Sequence, residues 1–342
     1  KVNAGLVVVE DKIETNYSIG IEIRGSSSQM FPKKSYGFET KTSDFSDDLD
    51  VNLGGFPEEE DWILYGPYSD KSLIRNKLTF DLSNAIGFKA SNTKFYNLFI
   101  NGDSKGLYIL MEKIKRDSNR VDISKNNSES VDAGYIIKID KPTSEVGGCN
   151  TCYENSFSFR SNYDTNGNQS NDSEIYFIYD YPKPDNITDD QKQFIYSTIN
   201  EFETILTSDN FDDPIEGYDN VIDVDTFIDF FIMNEIAKNP DGFRLSTYMN
   251  KDTGGKLKMG PIWDFNLAFG NVDYCDGMNP EGWIYNFNSI CPSDIWQVPF
   301  WWKRLMESPD FKNKLKDRWQ TLRLNKLSDS SITNRIDSYL EY

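Results

Sequence analysis

Apolar and polar residues alternate along much of the first 141 residues, which predicts a β-rich N-terminal part. Residues 17–25 and 34–40 alternate on either side of a polar loop with three serines and two lysines, so we expect a hairpin. This loop is either a phosphate-binding loop or an ordinary hairpin loop with a cationic tip. Two more alternating runs flank Asn101-Gly102-Asp103 and predict a second hairpin, and residues 133–141 predict a further strand.

After Asp70 the spacing of apolar residues changes to that of a helix. The pattern predicts an amphipathic helix that starts near Asp70, with Asp70 or Ser72 as its cap, and stops at Gly87. Residues 142–174 are rich in Gly, Asn, Ser and Asp and predict an irregular insertion with one short strand. A strand at EIYFIYDY follows, then a helix from TDDQ onward and an apolar-rich helix that runs to Asn239-Pro240.

The last part of the chain predicts an amphipathic helical segment broken at Pro309. Its aromatic residues are expected to fill a core rather than to bind a ligand. They are Trp301, Trp302, Phe311 and Trp319. Together the patterns predict an α+β fold, with an antiparallel sheet in an N-terminal lobe at 1–141 and a mainly helical C-terminal lobe at 175–342.

Two aspartates stand where a carboxylate is unusual. Asp241 lies between a proline and a glycine, and Asp264 lies between Trp263 and Phe265. The strands LSTYMN and KLKMGPIW and the turn KDTGG between them predict a hairpin that brings both aspartates to its open end. Carboxylates among aromatic residues need a cation, and a divalent metal that holds phosphate oxygens would supply it. The alternative is a pair of capping or turn aspartates.

The chain contains no histidine. This excludes Ser-His-Asp and Cys-His nucleophiles, histidine-ligated zinc and imidazole bases within the chain. The acidic segments 44–50 and 57–61 are expected to be solvated loops, with a calcium site as the alternative.

The net charge of −19 opposes binding to nucleic acid or to anionic membranes and favours cationic partners. The sequence contains no apolar run long enough to span a bilayer and no signal peptide, so we expect a soluble chain. Four cysteines form a close pair, Cys149 and Cys152, and a wider pair, Cys275 and Cys291. They predict two disulfides and a secreted or cell-surface protein, with a redox-active CxxC or a four-cysteine zinc site as the alternatives.

An aspartate on a loop, a short hairpin, and a second aspartate followed by an aromatic residue form the layout of a protein kinase active site. The whole chain resembles the CotH family of atypical, secreted or spore-coat protein kinases. The resemblance is carried, in order, by IRGSSSQMFPKKSYGFE, DWILYGPYSDKSLIRNKL, NGDSKGLYILMEKI, NPDGFRLSTYM, GPIWDFNLAFGN and FWWKRLMESPDFKNKLKDRW.

This resemblance implies that residues 1–342 form one kinase-like domain that uses ATP with Mg²⁺ or Mn²⁺. It implies phosphoryl transfer to serine or threonine of exported or surface proteins. Asp241 is then the acid that orients the acceptor or assists metal binding, and Asp264 is the metal ligand, with Asn266 as a further ligand. Lys34, or Lys33 in its place, would contact the nucleotide phosphates, and strand alternation favours Lys34. The other nucleotide-site candidates are Arg24, Arg75 and Glu112, the last as an ion-pair partner for a lysine.

One position departs from the kinase pattern. Protein kinases carry a metal-binding asparagine five residues after the loop aspartate, and here that residue is Ser246. Asn266 or Asn250 could replace it, or the protein uses a different metal, is slow, or is inactive.

Three functions therefore remain open. The first is a metal-dependent kinase that acts on basic substrates with Ser or Thr, as the acidic charge suggests. The second is a nucleotidyl transferase that uses the same residues, binds the nucleotide in the reverse orientation and transfers AMP. The third is an inactive surface module that binds protein or carbohydrate through exposed aromatic residues such as Trp283, Tyr285 and Trp296.

Overall fold

The computed structural model describes residues 1–144 and 148–341. Residues 145–147, which belong to the predicted insertion, and residue 342 lie outside the described residues. The strands are β1 (Val2–Glu10), β2 (Ile13–Arg24), β3 (Ser35–Lys41), β4 (Asp61–Tyr65), β5 (Thr93–Ile100), β6 (Asp103–Glu112), β7 (Tyr135–Ile139), β8 (Ser158–Arg160), β9 (Tyr176–Tyr181), β10 (Thr247–Lys251) and β11 (Lys258–Met259). The helices are α1 (Arg75–Ile86), α2 (Asp189–Thr207), α3 (Val224–Ala237), α4 (Phe287–Ile290), α5 (Trp301–Leu305), α6 (Pro309–Arg323) and α7 (Asp329–Tyr339).

The strands form two antiparallel sheets. The first has the order β1-β2-β3-β4-β6-β5 and contains both predicted hairpins. The second has the order β11-β10-β7-β9-β8. The α+β fold class is therefore confirmed. The strands β8, β9, β10 and β11 lie where the sequence predicts strands. The strand β7, placed in the N-terminal lobe by its position, pairs with β10 and β9 in the second sheet.

One hydrophobic core joins the two sheets and the helices. It includes Ile63 and Ile109 from the first sheet, Ile137 from the second, and Phe227 and Trp302 from the helices. Most of these side chains are fully buried. Burial of large apolar side chains is the main source of stability here, at about 25 cal/mol per Å² removed from water.

Three sequence predictions need correction. The first helix starts at Arg75 rather than near Asp70, and its N-cap is Ile74, not Asp70 or Ser72. Asp70 lies in the preceding turn, where its carboxylate accepts the backbone N–H groups of Ser72 (3.0 Å) and Arg75 (2.9 Å). The strand predicted at KLKMGPIW is shorter in the structure and comprises only β11, because Pro261 has no N–H to extend the ladder. Trp319 is 37% exposed and does not fill a core, whereas the other three C-terminal aromatics are buried.

Candidate active site

Asp241 lies on a loop that follows α3, as predicted. Helix α3 ends at Ala237, and Lys238 takes the left-handed conformation that often closes a helix. Gly242 allows the loop to pack against the helix, because a Cβ there would stand 2.4 Å from Asn234 Oδ1. No larger residue fits this position without a shift of the loop, so the backbone around Asp241 is fixed by packing.

One buried arginine orients the Asp241 carboxylate. Arg244 Nη2 donates to Asp241 Oδ1 at 2.9 Å, and its Nη1 lies 3.2 Å from Asp294 Oδ1. The Nε donates to the Pro240 carbonyl at 2.7 Å, and the guanidinium lies 4.0 Å from the Phe287 ring centre. Within the described residues, Asp241 Oδ2 receives no hydrogen bond, so this oxygen is free to contact a substrate or cation.

Asp264 lies beyond β11 on an irregular segment held by α1. Its φ of 59° is left-handed, a conformation that Asp tolerates better than most residues. Asn76 Oδ1 accepts the backbone N–H of Phe265 at 2.6 Å, and Trp263 stacks on Phe80 at 5.8 Å. Strain of this kind is often found at functional sites, and these contacts keep the residue in place.

A third carboxylate, that of Asp140, joins the two predicted ones. It follows β7 directly and accepts the backbone N–H of Lys141 at 2.8 Å. The backbone of Ser246 also hydrogen-bonds to this carboxylate. Tyr153 from the insertion donates its hydroxyl to the Asp140 carbonyl at 2.9 Å.

The three carboxylates share one electrostatic environment. Burial, together with the charges of Asp241 and Asp140, raises the pKa of Asp264 to about 7, and Arg24 and Lys141 oppose the shift. Burial also raises the pKa of Asp241 and of Asp140. Burial and mutual repulsion oppose the ionisation of these carboxyl groups, so a bound cation would stabilise their charged forms.

Two basic residues lie close to this group. Arg24, at the end of β2, stands 5.7 Å from the Trp263 ring centre and acts on the Asp264 charge. Lys141 acts on both Asp241 and Asp264, and its Nζ lies 4.5 Å from the Trp296 ring centre. The site therefore combines a residue of the first sheet with acids from the second sheet and the loops beside it.

The predicted lysines lie in the loop before β3. Lys34 Nζ donates to the Gln29 carbonyl at 2.7 Å. Lys33 Nζ donates to the Leu107 carbonyl at 2.6 Å and lies 4.6 Å from the Tyr108 ring centre. Within the described residues neither lysine forms an ion pair, and both amines donate to backbone carbonyls.

Glu112 lies apart from these lysines. It ends β6, where it pairs with Trp62 of β4. The Lys33 amine contacts the same strand further upstream, at Leu107. Its Oε2 accepts the Asn92 N–H at 2.8 Å, and its buried Oε1 has no hydrogen-bond partner. A role for Glu112 as an ion-pair partner of a lysine remains a prediction.

Arg75, Asn266 and Asn250 have contacts that hold the site together. Arg75 Nε donates to the Ala268 carbonyl at 3.1 Å, and the guanidinium also pairs with Asp70. The Asn266 side chain hydrogen-bonds to the Tyr65 hydroxyl. Asn250 Nδ2 donates to the Gly260 carbonyl at 3.0 Å, which fixes the orientation of this side chain in the hairpin.

Both predicted disulfides are present, Cys149–Cys152 and Cys275–Cys291. All four thiols are used in these bonds, which excludes the four-cysteine zinc site, and a redox role of the Cys149–Cys152 pair stays a prediction; Cys275 and Cys291 also lie close to Asp294. The acidic group Glu59, Glu60 and Asp61 also has its ligand oxygens close together, but Lys115 lies within 2.9 Å of an oxygen of each. This lysine supplies the cation there.

The carboxylates of Asp140, Asp241 and Asp264 have the chemistry that a hard divalent ion prefers, but among the described residues their oxygens do not all lie within 4.8 Å of one another, so the side chains would have to close around an ion. Oxygen ligands are those that Mg²⁺ and Mn²⁺ prefer. In the part of the chain that the structure describes, no hydrogen bond or ion pair reaches the Asp264 carboxylate, although it is largely buried. With Mg²⁺ bound, these residues would hold the ion, which would in turn neutralise phosphate oxygens.

Sequence reasoning missed Asp140 and passed over Asn76 and Arg244. An acid directly after the apolar strand YIIKI was a usable signal for Asp140. The sequence carries no such signal for the pairing of β7 with β10, since it joins segments more than a hundred residues apart. Arg244 stands three residues after Asp241, and only the fold shows that it is buried against that carboxylate.

A family model described as CotH kinase protein matches residues 21–341, nearly the whole chain. A comparison with curated proteins finds no match. No helix of the described residues has the length and apolar character needed to cross a membrane. The family implies a kinase-like function with a nucleotide and metal requirement, and the two disulfides fit a secreted or surface protein. On the match to residues 21–341, the chain belongs to the CotH kinase family.

Proposed function

We propose that this protein is an atypical protein kinase that uses ATP with Mg²⁺ or Mn²⁺ to phosphorylate serine or threonine of exported or surface proteins. The observation that carries the proposal is the convergence of Asp241 and Asp264 with Asp140, in a site where burial and like charges raise the pKa of Asp264 to about 7. Phosphoryl transfer depends mainly on positioning and on charge stabilisation, and this group supplies both.

The proposed reaction assigns a separate task to each aspartate. Asp241, held by Arg244, orients the acceptor hydroxyl and takes its proton as the hydroxyl oxygen bonds to the γ-phosphorus. The bond from the γ-phosphorus to its bridging oxygen breaks, and ADP leaves with the electron pair. Asp264 holds the divalent ion that neutralises the phosphate oxygens.

The nucleotide end of the proposed site lies on the first sheet. Arg24 supplies a positive charge beside Asp264. Lys34, or Lys33, would give up its hydrogen bond to a backbone carbonyl and contact a phosphate instead, since the flexible side chain of a loop lysine reorients easily. The kinase-like fold, with the nucleotide between the two sheets, is part of this proposal.

A transfer assay with ATP labelled at either phosphate tests the proposal. The protein is incubated with a serine-containing peptide rich in Lys and Arg, Mg²⁺ or Mn²⁺, and ATP labelled at the γ- or the α-phosphate. We expect label only from the γ-position, and a loss of roughly a hundredfold or more in Asp241→Asn. The matched control Asp172→Asn removes a charge at a side chain that is 99% exposed and should keep full activity.

The other outcomes decide between the alternatives. Label from the α-position would replace the kinase by a nucleotidyl transferase on the same residues. No transfer of either label, with intact folding, would favour a binding module that keeps the scaffold.

A further inference from the structure

Position 246 lacks the side chain that the proposed chemistry needs. Protein kinases place a metal-binding asparagine five residues after the loop aspartate, and this chain has Ser246 there. A neutral hydroxyl is a weaker ligand for a hard divalent ion than a carboxylate or carboxamide oxygen. An oxygen from elsewhere in the fold would have to replace it.

The second sheet places Asp140 beside this position. Ile139 of β7 is the antiparallel partner of Thr247 of β10, so Asp140 and Ser246 follow as the next pair at the same end of the two strands. The Ser246 backbone hydrogen-bonds to the Asp140 carboxylate. The Asp140 carboxylate therefore lies beside the backbone of position 246.

Asp140 also belongs to the same electrostatic group as the two predicted acids. Its negative charge acts on both Asp264 and Asp241. Its backbone is fixed by β7, which has a strand on each side, and by the hydroxyl of Tyr153 on its carbonyl. A carboxylate on a central strand is held more rigidly than one on a loop, as a metal ligand should be.

We propose that Asp140 is a ligand of the divalent ion and replaces, from a neighbouring strand, the asparagine that position 246 lacks. This inference rests on the proposed function, since it assumes that Asp264 holds a divalent ion with a nucleotide. It assigns a ligand that neither the sequence pattern nor the family match identifies.

Binding of Mn²⁺ provides a test that does not depend on activity. The full chain is titrated with Mn²⁺ in the presence of a non-hydrolysable ATP analogue, and free Mn²⁺ is measured from its electron paramagnetic resonance signal. We expect Asp140→Ala to bind Mn²⁺ at least about tenfold more weakly than the wild-type chain. Asp140→Asn keeps the size of the side chain and is measured beside it, and circular dichroism verifies the fold of each variant.

A second substitution makes the test specific. Ser246 has a φ of 47°, and asparagine tolerates this left-handed conformation, so Ser246→Asn should fold. In the double variant Asp140→Ala/Ser246→Asn, the new carboxamide should restore most of the lost Mn²⁺ affinity. The control Asp180→Ala removes the same charge from β9, where Asp180 pairs with Lys138 (3.5 Å) and Lys183 (3.4 Å), and should bind Mn²⁺ as the wild-type chain does.

The results separate this inference from the proposed function. Unchanged Mn²⁺ binding in folded Asp140→Ala would overturn the role of Asp140 and leave the proposed function standing, whereas Asp140→Asn keeps a carboxamide oxygen and shows how much of the affinity depends on the charge. Equal weakening by Asp180→Ala, or no rescue by Ser246→Asn, would reduce Asp140 to a source of general negative charge. No Mn²⁺ binding by the wild-type chain would contradict the proposed function and this inference together.

Discussion

The orientation of Asp241 depends on Arg244, whose side chain is almost completely buried. Its guanidinium contacts two carboxylates, two backbone carbonyls and an aromatic ring. Such a residue is costly to remove, because its loss leaves the partly buried charges of Asp241 and Asp294 without their ion-pair partner.

We therefore expect Arg244→Met to lower the free energy of unfolding by about 3 kcal/mol. The control Arg318→Met breaks the pair with Asp229, whose arginine is 34% exposed, and should cost about 1 kcal/mol. Urea denaturation of both variants measures the difference. Equal losses would show that Arg244 is no more important than a partly exposed arginine.

Glu203 is a buried acid outside the candidate site. Its carboxylate accepts hydrogen bonds from Ser161 (2.8 Å) and from Trp301 Nε1 (3.0 Å). Burial raises the pKa of Glu203 to about 8, against an ordinary value of 4.5. The folded state therefore binds more protons than the unfolded state between these values, and stability falls as the pH rises through that window.

We expect Glu203→Gln to abolish this pH dependence, because glutamine keeps the acceptor oxygen and does not ionise. Between pH 5 and pH 8.5 the wild-type chain should lose roughly 2–4 kcal/mol more than the variant. Glu201→Gln, an exposed neighbour on the same helix, is the control and should follow the wild-type curve. Parallel curves for all three chains would contradict the assignment. Urea denaturation across this pH range measures the effect.

At the level of elements, two loops and one strand end form the site, and a disulfide closes the segment before the residues that hold Arg244. Cys275–Cys291 closes a segment of 16 residues after the Asp264 loop. Asp294 and Trp296 follow it, and both contact Arg244. The second disulfide, Cys149–Cys152, spans only three residues in the insertion.

This difference in loop length predicts different contributions to stability. Replacing Cys275 and Cys291 by serine should cost about 3 kcal/mol, and replacing Cys149 and Cys152 about 1.5 kcal/mol, because the longer loop restricts the unfolded chain more. Urea denaturation of the two double variants under non-reducing conditions checks this order. A larger loss from the Cys149–Cys152 pair would show that chain entropy does not dominate.

Local patterns predicted the elements well where one signal decided them. The turn Asn101-Gly102 gave the β5–β6 hairpin, and Thr188 with Gln191 forms the capping box that starts α2. Long-range strand pairing could not be predicted, because no local sequence pattern indicates that β7 belongs to the second sheet rather than to the first. For the same reason, Asp241 and Asp264 could be placed together from the sequence, whereas the acid after YIIKI could be noticed but not placed beside them.

Over the whole molecule, charge and architecture point to one kind of partner. The chain carries a net charge of −19, and its candidate site is itself acidic. Both features attract a cationic substrate and oppose binding of free nucleotide unless a metal ion accompanies it. The two sheets share one core, so Arg24 on the first sheet keeps its place relative to the acids of the second.

Thermal unfolding with nucleotide and metal tests the central claim most directly. Wild-type protein and Asp264→Asn are heated alone, with ATP, and with ATP plus Mg²⁺ or Mn²⁺. A ligand that binds only the folded state must raise the midpoint, so we predict a rise for wild type that requires metal and is absent in Asp264→Asn. Asp103→Asn, whose side chain is 82% exposed, should behave as wild type. No metal-dependent rise in wild type at millimolar ATP, or the same rise in Asp264→Asn, would contradict the nucleotide site.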